Sequence, residues 1–174
     1  MDRADLERDL EQMHPSCWGW ALACCRRDKD LAEETLQSAY LRILSGEARF
    51  DERSMLRTWV FGVIRRTAME TMRGRSFRES REILDSAEVG RAPDAAAGAD
   101  VAVEELEESE AILAALRTLS PRQREVVELV FYHSMTVEEA AAVMQVSLGS
   151  ARTHYDRGKK ALALALAPNR AHAR

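Results

Sequence analysis

At 174 residues and 19.6 kDa the chain accommodates one medium domain or two small ones. Hydrophobic residues at 46% and charged residues at 31% give a soluble globular composition, and no run approaches the roughly 20 apolar residues of a membrane span. The net charge of -4 would speak against a nucleic-acid partner, except that acid and base are segregated along the chain, so distribution decides rather than the sum.

The first residues, MDRADLERDLEQ, are charged throughout and lack the apolar core of a signal peptide, so a cytoplasmic protein with no membrane partner is expected. Pro15 suits the first turn of a helix running to about Arg27. Leu10, Met13, Cys17, Ala21 and Cys24 recur at three- and four-residue intervals, the stripe of a buried face. His14, Cys17 and the Cys24-Cys25 pair could be imagined as zinc ligands, but adjacent cysteines on one helix point about 100° apart. Core packing is the favoured reading, and no metal or cofactor is expected.

A second helix is predicted from Asp28–Asp30 through Leu44, with Leu36, Ala39, Tyr40, Ile43 and Leu44 on one stripe and Glu33, Glu34, Gln37 and Ser38 opposite. Ser45-Gly46 breaks it, a polar loop from Glu47 to Arg53 follows, and Ser54 can cap the next helix. That helix, Met55 to Met72, places Leu56, Trp59, Val60, Val63, Ile64, Thr67 and Ala68 inward, with Arg57, Arg65, Arg66 and Arg73 outside or at the border. Arginines beside a polar loop can bind nucleic acid through phosphates and stacking, or they form an ordinary solvated surface; periodicity alone does not decide. In the loop, Arg49, Phe50, Asp51 and Glu52 offer a ring and polar edges to an unstacked base, or Phe50 anchors the loop in the core.

Residues 74–105 are rich in Ala, Gly and acid and are read as a flexible acidic linker that cannot bury enough surface to offset its ordering entropy. Periodic apolar sequence returns over 106–166. Ser120-Pro121-Arg122-Gln123 is a capping box opening a helix with Val126, Val127 and Val130 inward. Thr136 with Glu139 is a second box, opening a short helix with Ala140, Ala141, Val143 and Met144. After Gln145-Val146-Ser147 a third helix runs from Leu148 to about Leu166, and residues 167–174 are a frayed tail. Two helices three residues apart, the second studded with basic groups, predict a helix-turn-helix. Arg152, Thr153, Asp156, Arg157 and Lys160 share a face able to enter a major groove, and Arg122, Arg124 and Lys159 are candidate phosphate clamps. The bland alternative is a three-helix bundle with a solvated surface.

No alternating β-branched run occurs, so the expected fold is all-α: two small helical bundles joined by the linker, the second a helix-turn-helix. No Ser/His/Asp, metal or phosphate-loop constellation points to an enzyme.

Two stretches carry a family resemblance. Ala32-Glu33-Glu34 through Leu41-Arg42, then Leu56-Arg57-Thr58-Trp59 and Arg65 to Arg73, resemble region 2 of extracytoplasmic-function (ECF) sigma factors. LRTLSPRQREVVELVFYHSMTVEEAAAVMQVSLGSARTHYDRGKKAL resembles sigma region 4 along its whole length. The resemblance implies a transcription initiation factor whose partners are the core RNA polymerase (beta-prime clamp and beta flap), promoter DNA and an anti-sigma factor. By it, 1–73 is region 2 and 106–166 region 4. Glu33, Glu34, Gln37, Leu41 and Arg42 would face the polymerase clamp. Arg49, Phe50 and Asp51, with Arg57, Arg65 and Arg73, would meet the non-template strand of the minus-ten element. Arg152, Thr153, Asp156 and Arg157 would read the minus-thirty-five element, and Val126 with its helix would support docking on the flap. Thr35, Ser38, Leu44 and Arg66 depart from the usual residues, as does Gln145 where the family has its turn glycine. Two other readings are a sigma mimic that titrates an anti-sigma factor and a stand-alone helix-turn-helix regulator.

Overall fold

The computed structural model describes residues 2–85 and 112–170, with side chains over 2–76 and 112–167. The chain divides into two compact units, and among the described residues every regular element is a helix.

The first unit holds α1 (Arg3–Cys24), α2 (Lys29–Leu44) and α3 (Leu56–Asp85). Helix α1 starts well before the predicted position, and Pro15 lies in its interior. The start is specified locally: the Asp2 carboxylate accepts the Arg3 N–H at 2.7 Å, and Arg3–Glu7 and Arg8–Asp5 pair at 2.9 and 3.0 Å. Proline withholds an N–H from the Glu11 carbonyl, and because both residues are exposed, water can take its place. The α1–α2 turn puts Arg26 and Arg27 at φ 56° and 68°, where each non-glycine residue costs about 1–2 kcal/mol. Asp28 then caps α2, its side chain accepting from the Leu31 N–H at 3.0 Å.

The three helices enclose one core. Leu10, Cys17, Trp20 and Ala21 of α1, with Cys25 just past its end, meet Leu31, Ala32, Leu36, Ala39 and Ile43 of α2. Val60, Phe61, Ile64 and Ala68 of α3 complete it. Trp20 stacks on Phe61 with centroids 5.8 Å apart and donates its indole N–H to the Phe61 carbonyl at 3.0 Å. Of the expected stripe Leu10, Cys17 and Ala21 are core, Met13 and Cys24 are half-buried, and Cys25 is buried in place of Cys24. Burial pushes the Cys17 and Cys25 thiols up.

Both boundaries of α3 differ from expectation. Met55, not Ser54, is the last residue before α3, and its carbonyl accepts the Trp59 N–H at 3.1 Å. Helix α3 continues past Met72 to Asp85, so residues 74–85 are helical rather than linker. Gly74 costs a helix only about 1 kcal/mol, and the Arg, Glu and Leu that follow are good helix formers. The rest of the expected linker, 86–105, lies outside the described residues.

The second unit holds α4 (helical over 112–118), α5 (Pro121–Val127), α6 (Val137–Met144) and α7 (Leu148–Arg170). The Ser120 N–H donates to Gln123 Oε1 at 3.2 Å at the start of α5. Helix α5 runs directly into one π-helical turn, Glu128–Tyr132, which periodicity did not predict. Its extra residue per turn keeps Leu129, His133 and Met135 inside and leaves Phe131 and Tyr132 exposed. The second capping box forms as predicted: Thr136 Oγ1 accepts from the Glu139 N–H at 3.1 Å, and Glu139 Oε2 accepts from the Thr136 N–H at 2.7 Å. Ala140, Ala141, Val143 and Met144 of α6 are all buried. Gln145 occupies the left-handed region at φ 55°, the strained turn anticipated for a missing glycine. Helix α7 reaches Arg170, so 167–170 belong to it rather than to a tail; 171–174 lie outside the described residues.

Gly158 is where α7 crosses α5. A Cβ there would lie 2.8 Å from Val127 Cγ2, and valine is stiff at χ1. Gly158→Ala is expected to lower the stability of this unit by about 1–3 kcal/mol, outweighing the roughly 1 kcal/mol that alanine adds to a helix. Thermal denaturation followed by circular dichroism measures this, and a raised Tm would contradict the close crossing.

Candidate nucleic-acid and polymerase interfaces

In the second unit, α7 is amphipathic about the Ala151–Gly158 side. Both are buried against the bundle, while Arg152, Thr153, Asp156, Arg157 and Lys160 are exposed together on the other side. Thr153 donates its hydroxyl to the Gly149 carbonyl at 2.9 Å, which orients the side chain and leaves its oxygen as an acceptor. Lys159 is turned away toward the edge, pairing with Asp156 at 3.5 Å and lying 4.4 Å over the Tyr155 ring. The start of α7 is held by Ser147, whose hydroxyl accepts from the Ser150 N–H at 3.2 Å. A rigid two-helix frame thus carries a row of guanidinium, hydroxyl, carboxylate and ammonium groups, the donor and acceptor set that base edges and phosphates require.

Of the two arginines of α5, Arg124 is placed differently from expectation. Arg124 is half-buried and donates to the carbonyls of Leu116, Arg117 and Leu119 at 2.9, 3.3 and 3.4 Å. It closes the C-terminal end of α4, where orphan carbonyls and the dipole favour a cation, so it is not a phosphate clamp. Arg122 is partly exposed and pairs with Glu125 at 3.2 Å. Val126 is fully buried and cannot itself dock on a partner.

In the first unit, Glu33, Glu34, Gln37 and Leu41 lie exposed on α2, and Leu41 at 70% exposure is unusual for a leucine. Gln37 donates to Glu33 at 3.3 Å. Beside them an acid-rimmed apolar groove runs between α1 and α2, lined by Leu10, His14, Trp18, Leu36, Tyr40 and Leu44 with Glu7, Glu11 and Glu33. His14 Nδ1 and the Tyr40 hydroxyl lie 3.2 Å apart within it, and burial pushes the Tyr40 phenol upward. Arg42 is not on this surface in the way expected. Its guanidinium pairs with Glu70 and with Glu47 at 3.6 Å and donates to the Thr67 hydroxyl of α3 at 3.4 Å, bracing α2 against α3 at the surface.

The loop before α3 presents Arg49, Asp51, Arg53 and Met55 to solvent. Phe50 is half-buried against Trp59, centroids 5.2 Å apart, and so anchors the loop instead of offering a free ring. Arg57 is half-buried, its guanidinium 5.9 Å from the Phe61 ring centre. Arg65 is only 6% exposed, so it leaves the set of candidate DNA contacts. It shares an inward face with Thr58, Phe61 and Ala68, which helical spacing makes visible once Phe61 is known to be core. Arg66 and Arg73 are exposed, seven residues apart and therefore on one side of α3 with Trp59; Arg75 is exposed as well. Arg66, which the face reading includes among the border arginines but the resemblance leaves out because it departs from the family residue, is exposed beside them.

Comparison with known proteins follows this division. A sigma-70 region 2 model matches residues 10–78, and a sigma-70, region 4 model matches residues 109–162. The ECF RNA polymerase sigma factor SigX of Bacillus subtilis (strain 168) is 28% identical over 143 residues, covering 78% of this chain and 71% of SigX. The ECF RNA polymerase sigma factor BldN of Streptomyces coelicolor is 32% identical over 138 residues, and the match spans 78% of this chain but only 49% of BldN. Among solved structures, the sigma factor RpoE in complex with the anti-sigma factor NepR from Bartonella quintana superposes with a TM-score of 0.70 at 23% identity, over 93% of this chain and 96% of RpoE, a likeness of fold.

Proposed function

This chain belongs to the sigma-70 family, in its ECF group, and we propose that it is an alternative sigma factor that brings core RNA polymerase to specific promoters. The observation that carries the reading is the pairing, in one polypeptide, of a region 2 unit and a region 4 unit whose α7 displays Arg152, Thr153, Asp156, Arg157 and Lys160 on an uncovered face. The first unit is region 2 and the second region 4, each touching DNA while polymerase holds them at the promoter spacing.

In this reading α7 enters the major groove of the minus-thirty-five element. Arg152 and Arg157 donate to guanine edges, Asp156 accepts from cytosine, and Lys160, Lys159 and Arg122 neutralise phosphates. The loop over 46–54, with Arg57 and the Arg66–Arg73 side of α3, receives the opened non-template strand of the minus-ten element. A captured base costs a few kcal/mol to unstack, and arginine planes and loop polar edges return that energy. Exposed Glu33, Glu34, Gln37 and Leu41 form the surface for the polymerase clamp. RpoE is held by NepR, and an anti-sigma factor that covers such surfaces is the corresponding partner of this chain. A mimic that only titrates an anti-sigma factor would have no use for the α7 row.

Replacing Gln37 and Leu41 together by alanine is expected to weaken core-polymerase binding tenfold or more. Both side chains are exposed, so the melting temperature should scarcely move. Undiminished co-purification with core enzyme would remove that surface from the account.

A further inference from the structure

The uncovered face of α7 is basic at its edges and carries a carboxylate near its centre. With about 3.6 residues per turn, Asp156 lies within about 30° of the line opposite the buried Ala151–Gly158 side. Arg152 and Arg157 stand about 70° to either side of that line, and Lys160 follows one turn later on its long stem. The Asp156 side chain is 65% exposed. Its Oδ1 pairs with Lys159 at 3.5 Å, and Lys159 is itself held 4.4 Å over the Tyr155 ring, so one carboxylate oxygen is fixed and Oδ2 is left to accept.

Aspartate has little structural use at this place. It stands about two turns past Leu148, beyond the first turn in which an acidic side chain gains from the dipole or caps a free N–H. It is among the poorer helix formers, and an exposed ion pair three residues along stabilises a helix only weakly. Facing DNA, it would also repel the phosphates that line both walls of the groove. Thr153, about 60° around the helix from Asp156, gives its hydroxyl hydrogen to the Gly149 carbonyl at 2.9 Å and so presents a second acceptor. Hydrogen-bond chemistry then selects one base. In the major groove guanine shows two acceptors, thymine an acceptor beside its methyl group, and adenine an acceptor next to its amine. Cytosine alone shows a donor, its N4 amine, with no acceptor beside it.

We propose that Asp156 determines specificity by exclusion: it fixes one cytosine in the minus-thirty-five element, accepting from its amine and rejecting the other three bases because acceptor would face acceptor. This deepens the sigma-factor reading and rests on it. The test binds holoenzyme, assembled from core polymerase and the full chain, to duplex promoter probes in which each base pair of the element is changed in turn. Wild type should favour cytosine at one position by about tenfold or more. N4-methylcytosine there still pairs with guanine but puts a methyl group where the groove-facing N–H stood, and it should lose as much affinity. In D156A the preference at that position should fall to about twofold or less, with the other positions unchanged, and the methylated probe should bind like the unmodified one. D156N offers a donor as well as an acceptor and should admit guanine or thymine there. A wild type with no cytosine-favouring position overturns the proposal without any variant. So does a D156A variant that keeps every preference, or one that binds all probes more tightly by the same factor, since the carboxylate would then act on phosphates alone. Wild-type holoenzyme indifferent to every base of the element rejects α7 as the reading helix and Asp156 with it. A chain that does not bind core polymerase rejects the sigma-factor reading itself.

Discussion

Trp20→Ala is expected to destabilise the N-terminal unit by about 3–5 kcal/mol, the range for deleting a large buried aromatic. Small domains hold only about 5–15 kcal/mol in total, so much of this unit would be unfolded at physiological temperature. Trp20 is fully buried, stacked on Phe61 and bonded to the Phe61 carbonyl, which links α1 to the helix that carries the candidate strand-binding surface. Alanine would leave a cavity between α1 and α3. Trp20→Phe keeps a ring on Phe61 and loses the indole N–H, so it should recover most of the stability, falling short by about 1 kcal/mol for the hydrogen bond. Urea denaturation followed by circular dichroism reads both variants. A loss below 1 kcal/mol for alanine would mean that the stacked pair is not central to the core.

The second large effect concerns the α7 row. Arg152→Ala with Arg157→Ala should reduce transcription from a promoter that depends on its minus-thirty-five element by thirtyfold or more, taking about 1–3 kcal/mol per bidentate base contact. Both residues are exposed and on the side opposite Ala151 and Gly158, so the fold should survive and core binding should be unchanged. Lys160→Ala, a phosphate contact in this account, should weaken binding evenly across promoter sequences without altering which one is preferred. If the double arginine variant transcribes as wild type, α7 is not the reading helix.

What could be read from sequence was what local chemistry determines. The Thr136–Glu139 box, the four buried residues of α6 and the strained Gln145 turn all depend on residues within one turn of each other, and all are present as expected. The buried stripe of α2 was visible for the same reason, since Leu36, Ala39 and Ile43 obey helical spacing. The errors arose where distant partners decide. Nothing near Arg124 announces that it closes α4, and nothing near Phe50 announces Trp59 as its neighbour. Arg65 is placed outside or at the border of the buried face by periodicity, and the burial of Phe61 one turn earlier, which periodicity did not include, is what turns that side into core. The π turn and the Gly158 crossing are packing outcomes: one residue is added so that Leu129 and Met135 both stay inside, and one side chain is absent so that α7 can approach Val127. The extension of α3 to Asp85 was obscured by composition, which weighed the Ala- and Gly-rich stretch as a whole and hid the helix-forming residues at its start.

All of the functional account depends on a polymerase acquiring promoter choice from this polypeptide. The direct measurement is in vitro transcription with purified core RNA polymerase on genomic DNA fragments, with and without the chain. Discrete transcripts that appear only when the protein is added, and vanish with the Arg152/Arg157 variant, are the predicted result. A protein that binds core enzyme yet yields no new start site on any fragment, or that does not bind core enzyme at all, would contradict it.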